Sequence, residues 1–181
     1  YTEFFIAALS EPNCNITLNI GKYEIRGQDY TFTFYCLSQE EWNIRSLKDK
    51  NGDPNATQIN AVSPIGILEY AGRRLVFTGD SNKNNEDYYC KTYPYVDCDV
   101  LKVAHHGSNG SSSKDFLQHV KCEYAVISVG SSYGHPKKEM LDRLKANGIQ
   151  KIHRTDKCGN VVLTVSHTGE MAFSCEKQCA A

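Results

Sequence analysis

The sequence predicts an α/β protein organised as one domain, and three observations predict it. Residues 16–37 alternate apolar and polar in strand fashion. Residues 99–156 run strand, helix, strand, helix, strand. A chain of 181 residues, 40% hydrophobic and 23% charged, is long enough for one compact core and favours one over two.

In order along the chain, ITLNIGKYEIRG and YTFTFYCL predict two antiparallel strands about a turn at Gly27-Gln28-Asp29. KDKNGDPNATQ is dense in turn formers and predicts an exposed loop. PIGILEY and RRLVFTGD, joined by Ala71-Gly72, predict a hairpin whose second strand ends at Thr78-Gly79-Asp80. DVLKVAHH, YAVISVG and IQKIHRTD then predict three short strands. Between them lie SSSKDFLQHV, a serine-capped helix, and HPKKEMLDRLKANG, a helix with Pro136 near its first position and Gly148 at its end. Strands joined through helices pair in parallel with right-handed crossovers. VVLTVS-HTGE-MAFSC predicts a closing hairpin centred between Thr168 and Gly169.

The net charge of −1 comes from 20 basic and 21 acidic residues without a long run of one sign, so no basic face marks a nucleic-acid or anionic membrane surface. No apolar stretch approaches the roughly 20 residues needed to span a bilayer. YTEFFIAALSEPN lacks the basic start of a signal peptide, and the chain as it stands is expected to be soluble.

Loops leaving the carboxyl ends of parallel strands share one sheet edge, where open α/β sheets bind ligands. His105-His106-Gly107-Ser108, Tyr133-Gly134-His135-Pro136 and Arg154-Thr155-Asp156 each end such a strand, and Asp80 joins them if its hairpin continues the same sheet. Imidazole and carboxylate are ligands that Zn2+ and Mn2+ accept. A bound ion lowers the pKa of its water to about 7, and two ions roughly 3.5–4 Å apart clamp a phosphoryl group. Asp80 with His106, His105 or both supplies part of such a metal site, and His135 can stabilise charge or protonate a leaving group. Taken singly, each motif has a plainer reading. TGD is a strand-ending turn, the histidine pair a helix cap, GHP a turn and RTD an ion pair. His119, His153 and His167 read as structural. The helix opened by Ser111, Ser112 and Ser113 is expected to offer free backbone N–H groups to an anion near the histidines.

TGD at 78–80 with Glu86 following, DVLKVAHHGS, AVISVGSSYGHP and HRTDKCGNVVLTV resemble, in order and spacing over roughly residues 57–165, a known hydrolase group. It comprises the metallo-β-lactamase-fold hydrolases related to the extracellular domain of the DNA-uptake (competence) protein ComEC. YEIRGQDYTFTFYCL and the Asn60-Ala61-Val62-Ser63 segment are similar to the strands and Asn-x-x-Ser segment preceding them. The resemblance implies an αββα sandwich that hydrolyses phosphodiesters or related esters with one or two ions, Zn2+ or Mn2+. Carried over by position, it makes Asp80 the bridging carboxylate and His106, with His105 as its rival, a ligand to the second ion. His135 becomes a catalytic or neighbouring histidine, or itself a ligand. The group's HxHxDH motif precedes this region, and none of the six histidines here forms it. Residues 1–181 are therefore expected to be a single domain corresponding to the C-terminal half to two-thirds of the fold, without the first-ion ligands.

Two functions follow. One is a metal-dependent phosphodiester hydrolase, acting on single-stranded DNA or a small phosphoester, of which this chain is the C-terminal portion. The other is a non-catalytic binding or structural module that keeps the sheet edge. Ligand-type residues at converging loops favour the first.

Eight cysteines without a CxxC point to an oxidising, extracellular setting and to disulfides. A two-residue turn at Thr168-Gly169 pairs residues whose numbers sum to 337, setting Cys158 opposite Cys179 with Cys175 as the rival. Cys98 and Cys122 each stand just before a parallel strand. If those strands are neighbours about 4.8 Å apart, the α-carbons fall near the disulfide window.

Overall fold

The computed structural model describes residues 2–14, 19–45, 56–130, 134–149 and 151–178. Helix α1 (Thr2–Ser10) precedes strands β1 (Lys22–Arg26) and β2 (Tyr30–Tyr35), and helices α2 (Gln39–Arg45) and α3 (Ala56–Asn60) follow. Strands β3 (Ile65–Tyr70) and β4 (Arg73–Phe77) lead to α4 (Lys83–Thr92) and β5 (Cys98–Lys102). Then come α5 (Lys114–Val120), β6 (Cys122–Ile127), α6 (Lys138–Ala146), β7 (Lys151–Arg154) and α7 (Thr155–Cys158). Strands β8 (Val161–Val165) and β9 (Met171–Cys175) close the chain.

The first seven strands form one sheet in chain order, antiparallel from β1 to β4 and parallel from β4 to β7. This is the predicted α/β arrangement, with the hairpin carrying Asp80 in the same sheet as the strand–helix repeats. The β3–β4 turn places Ala71 at φ 48° and Gly72 at φ 76°. That left-handed pair is what a two-residue hairpin needs.

Period-two alternation sorts the strands' side chains between two faces. Ile65, Ile67, Val76, Leu101, Ala125 and Ile127 form one buried cluster with Tyr89 of α4, Phe116, Leu117 and Val120 of α5, and Met140 and Leu144 of α6. On the opposite face Leu75, Val100 and Val126 line a cavity together with Leu163 and Phe173 of the β8–β9 hairpin. Phe173 stacks on Tyr124 at 5.0 Å and on His153 at 4.4 Å. No helix among the described residues is long and apolar enough to cross a membrane.

Cys98 and Cys122 pair directly across β5 and β6, with α-carbons 4.7 Å apart, and are joined by a disulfide. The tail hairpin differs from expectation by one residue. Val161 faces Cys175 and Val165 faces Met171, so paired numbers sum to 336. Ser166 donates its N–H to the Glu170 carbonyl and Gly169, at φ 83°, donates to that of Ser166. The loop therefore holds three residues rather than two, ending on a left-handed glycine, and the extra residue shifts the register. Cys175 lies opposite Val161, and Cys158 sits in α7 rather than on a strand. Cys179 lies outside the described residues, as does most of the expected loop at 48–58. The end of that loop, Ala56–Gln58, is helical.

Candidate functional site

Hydrogen bonds lash the strand ends to one another. Thr78, wholly buried, donates its hydroxyl to the Lys102 carbonyl at 2.6 Å, pinning the turn after β4 against the end of β5. Gly79 accepts the His105 N–H at 3.0 Å, and Gly107 accepts that of Lys137 at the same distance. Thr155 receives the Val129 N–H on its hydroxyl oxygen at 2.7 Å and returns a bond to the Val129 carbonyl at 2.8 Å. Asp80, His105, His106 and His135 thus share one edge, from loops spread over 56 positions.

The turn carrying the histidine pair is conformationally unusual. His105 (φ 47°, ψ 46°) and His106 (φ 54°, ψ 20°) are both left-handed, each at a cost of about 1–2 kcal/mol for a residue with a Cβ. Gly107 continues the reversal at φ 86°, and a Cβ there would lie 2.5 Å from the Cβ of Pro136. The chain needs glycine at that point to bring the two loops together.

His106 Nδ1 lies 2.7 Å from the Ser128 carbonyl oxygen. A carbonyl only accepts, so Nδ1 carries the proton and Nε2 presents its lone pair. Nε2 faces Asp80 Oδ1 at 3.9 Å, beyond hydrogen-bond range, with both side chains about half exposed. His105 Nδ1 is 3.5 Å from the Asn60 amide nitrogen, and its ring lies 6.4 Å from that of His106 and 6.1 Å from that of His135. His135 Nδ1 is buried without a hydrogen-bond partner among the described residues. Burial, then the charges of Lys137, His105 and His106, pushes the His135 pKa below its usual 6.5, so the ring is neutral at pH 7. An uncharged imidazole can donate one hydrogen bond and accept another, or ligate an ion.

A bound cation suits this arrangement. Metal-ligating histidines donate their other ring N–H to a carbonyl or carboxylate, and His106 makes that bond with Ser128. A 320 Å³ cleft bordered by Asn60, Asn82, Lys83, Asn84, His105 and Ser108 opens beside the histidine pair.

Two expectations change. Two of the backbone donors leading into α5 are already taken: Glu86, wholly buried in α4, accepts the N–H groups of Ser112 at 2.6 Å and Ser113 at 2.8 Å. The chain's own carboxylate thus occupies two of the three serines' N–H groups that were expected to be free. Arg154 and Asp156 form a two-pronged ion pair at 3.0 and 2.7 Å, which leaves Thr155 as the structural strut of that motif. Lys102, a charge inside an apolar run, was the missed signal. Its Nζ donates to the Val103 carbonyl at 3.0 Å; burial lowers its pKa while the Asp80 charge raises it, placing a half-buried cation near the carboxylate.

No family model matches the chain. The chain is 34% identical over 110 residues to the ComE operon protein 3 of Bacillus subtilis, covering 60% of the chain and 14% of that protein. It is 32% identical over 164 residues to the competence protein ComA of Neisseria gonorrhoeae, covering 85% of the chain and 23% of that protein. It is 27% identical over 115 residues to the recombination protein 2 of Haemophilus influenzae, covering 61% and 14%. The chain thus spans less than a quarter of the length of these curated relatives. Among solved structures, the hydrolase AbOPH of the beta lactamase superfamily covers 89% of the chain at 10% identity, with a TM-score of 0.38. The chain is related in sequence to competence proteins.

Proposed function

We propose that this chain is part of a metal-dependent phosphodiester hydrolase, and that Asp80 and His106 hold one ion at the edge where β4 and β5 end. The observation that carries the reading is the His106–Ser128 hydrogen bond, which sets the tautomer and turns Nε2 towards Asp80. Zn2+ and Mn2+ both accept this nitrogen and oxygen pair. His105 stands beside it as a further ligand or catalytic group. A bound ion supplies Lewis-acid polarisation of a phosphoryl oxygen. His135, whose Nδ1 has no hydrogen-bond partner among the described residues, hydrogen-bonds the substrate or its leaving oxygen. Asn60 orients the His105 ring.

The relation to competence proteins favours a nucleic-acid phosphodiester as the substrate class. The Cys98–Cys122 disulfide supports an extracellular placement, and residues 1–181 act as one domain of a longer enzyme. The test is Asp80→Asn in the complete protein, read by elemental analysis and phosphodiester hydrolysis. Loss of most bound metal and most turnover, with unchanged circular dichroism, is the expected result. Unchanged metal stoichiometry overturns the assignment and leaves a binding module.

A further inference from the structure

We propose that His153, Cys158 and Cys175 form a second metal site, separate from the Asp80 edge, which takes a thiophilic divalent ion such as Zn2+ when the Cys158 disulfide is reduced. The three residues come from three elements, β7, the end of α7 and the end of β9, yet their Nδ1 or Nε2 and Sγ atoms lie within 4.8 Å of one another. His153 Nδ1 is 3.7 Å from Cys175 Sγ. Bonds of about 2.0–2.1 Å to nitrogen and 2.3 Å to sulfur, opened to a tetrahedral angle, set nitrogen and sulfur roughly 3.5 Å apart. The spacing already present is therefore close to that of two ligands on one zinc.

The ring is held for this role. His153 lies nearly parallel to Phe173, with 14° between the planes. Phe173 and Cys175, two positions apart on β9, project to the same side, so the stack that holds the ring also delivers the sulfur to it. Cys158 is buried, and one imidazole with two thiolates and a water complete four-coordination.

Cys158 is disulfide-bonded in this structure, which removes its sulfur from the donor set. Disulfide and ion are thus alternative ties at the same place. A dithiol reductant delivers two electrons and two protons to the disulfide and becomes a disulfide itself. The released Cys158 thiol and the Cys175 thiol each lose a proton on ligating the ion. In one state a covalent bond holds α7; in the other, the ion ties α7 to β7 and β9.

The test uses the chain reduced under argon with a phosphine, which takes up the oxygen of one water per disulfide and leaves two thiols, followed by titration with Co2+. One equivalent is expected to give thiolate-to-cobalt charge-transfer absorption that the unreduced chain lacks. Cys175→Ser and His153→Gln should weaken binding by about 100-fold or more, since loss of an outer hydrogen bond alone costs 10–100-fold. Asp80→Asn and the pair Cys98→Ala with Cys122→Ala should retain the absorption, separating this site from the candidate active site and from the other disulfide. In reduced wild-type chain, Zn2+ should also shield Cys158 and Cys175 from alkylation, a readout that needs no variant to fold. Absence of the band in reduced wild type, its survival in Cys175→Ser, its loss in Asp80→Asn, or alkylation indifferent to Zn2+ overturns the proposal.

Discussion

Glu86 accepts the backbone N–H of Ser112 at 2.6 Å, a bond that reaches across 26 positions of the chain. With the bond to Ser113 it welds the first turn of α4 to the start of α5, two helices packed against each other. Replacing Glu86 with Ala leaves two N–H donors unmatched, each costing about 1–3 kcal/mol. Urea unfolding should show a lower midpoint by a corresponding amount.

The same carboxyl makes stability depend on pH. Burial, partly countered by the Ser113 and Ser112 bonds, raises its pKa above 4.5, so the folded chain holds this proton more tightly than the unfolded one. The stability it contributes is complete below 4.5 and is lost as pH rises through the folded-state value. Glu86→Gln removes the titration. The difference in unfolding free energy between wild type and this variant should therefore fall as pH rises from about 4 to about 8. A constant difference would count against a raised pKa.

Gly169 is expected to tolerate no side chain. It sits at φ 83°, and a Cβ would lie 2.6 Å from the Ala71 carbonyl oxygen. Its own carbonyl accepts the Arg73 Nε–H at 2.6 Å, and Arg73 also pairs with Asp99 at 2.9 Å. Gly169→Ala should cost more than about 1 kcal/mol and speed hydrogen exchange across β8 and β9 before the rest of the molecule.

The left-handed histidine pair predicts a trade between stability and activity. His106→Gly relieves backbone strain of about 1–2 kcal/mol and forfeits a hydrogen bond worth roughly 1 kcal/mol. The thermal midpoint should stay level or rise while metal binding falls. A clear drop in the midpoint would mean that the turn is not strained.

Removing the Cys98–Cys122 disulfide as a pair of alanines opens a loop with a sequence separation of 24 and should cost about 3 kcal/mol. Thiol titration of denatured, unreduced chain should find fewer than eight reactive groups.

Much of the sheet was legible because its signals are local. Ala71-Gly72 announces a tight turn and Ser113 a helix cap, and the strand–helix repeat dictates parallel pairing. The convergence of Asp80 with His105, His106 and His135 followed from topology alone. What escaped depends on partners distant in sequence. Helix α4, rich in asparagine and tyrosine, has a weak apolar pattern and is anchored by Asn82, Asn85 and buried Tyr89. The role of Glu86 requires knowing that α5 begins beside it. That His153 stands beside Cys158 and Cys175 escaped because those two arrive from α7 and β9.

A sheet whose seven strands stand in chain order can grow the way it is synthesised. Each strand from β2 onward finds its neighbour already made, so a nascent chain can add strands one at a time, with no earlier pair prised apart to admit a later one. Strands β1 and β2, and β3 and β4, pair through short turns, the segment carrying α2 and α3 joins the two hairpins, and each later strand follows one α-helix. The candidate site is completed late, because its last histidine follows β6. A ribosome-bound chain halted before residue 135 would hold most of the sheet and only part of the chemistry.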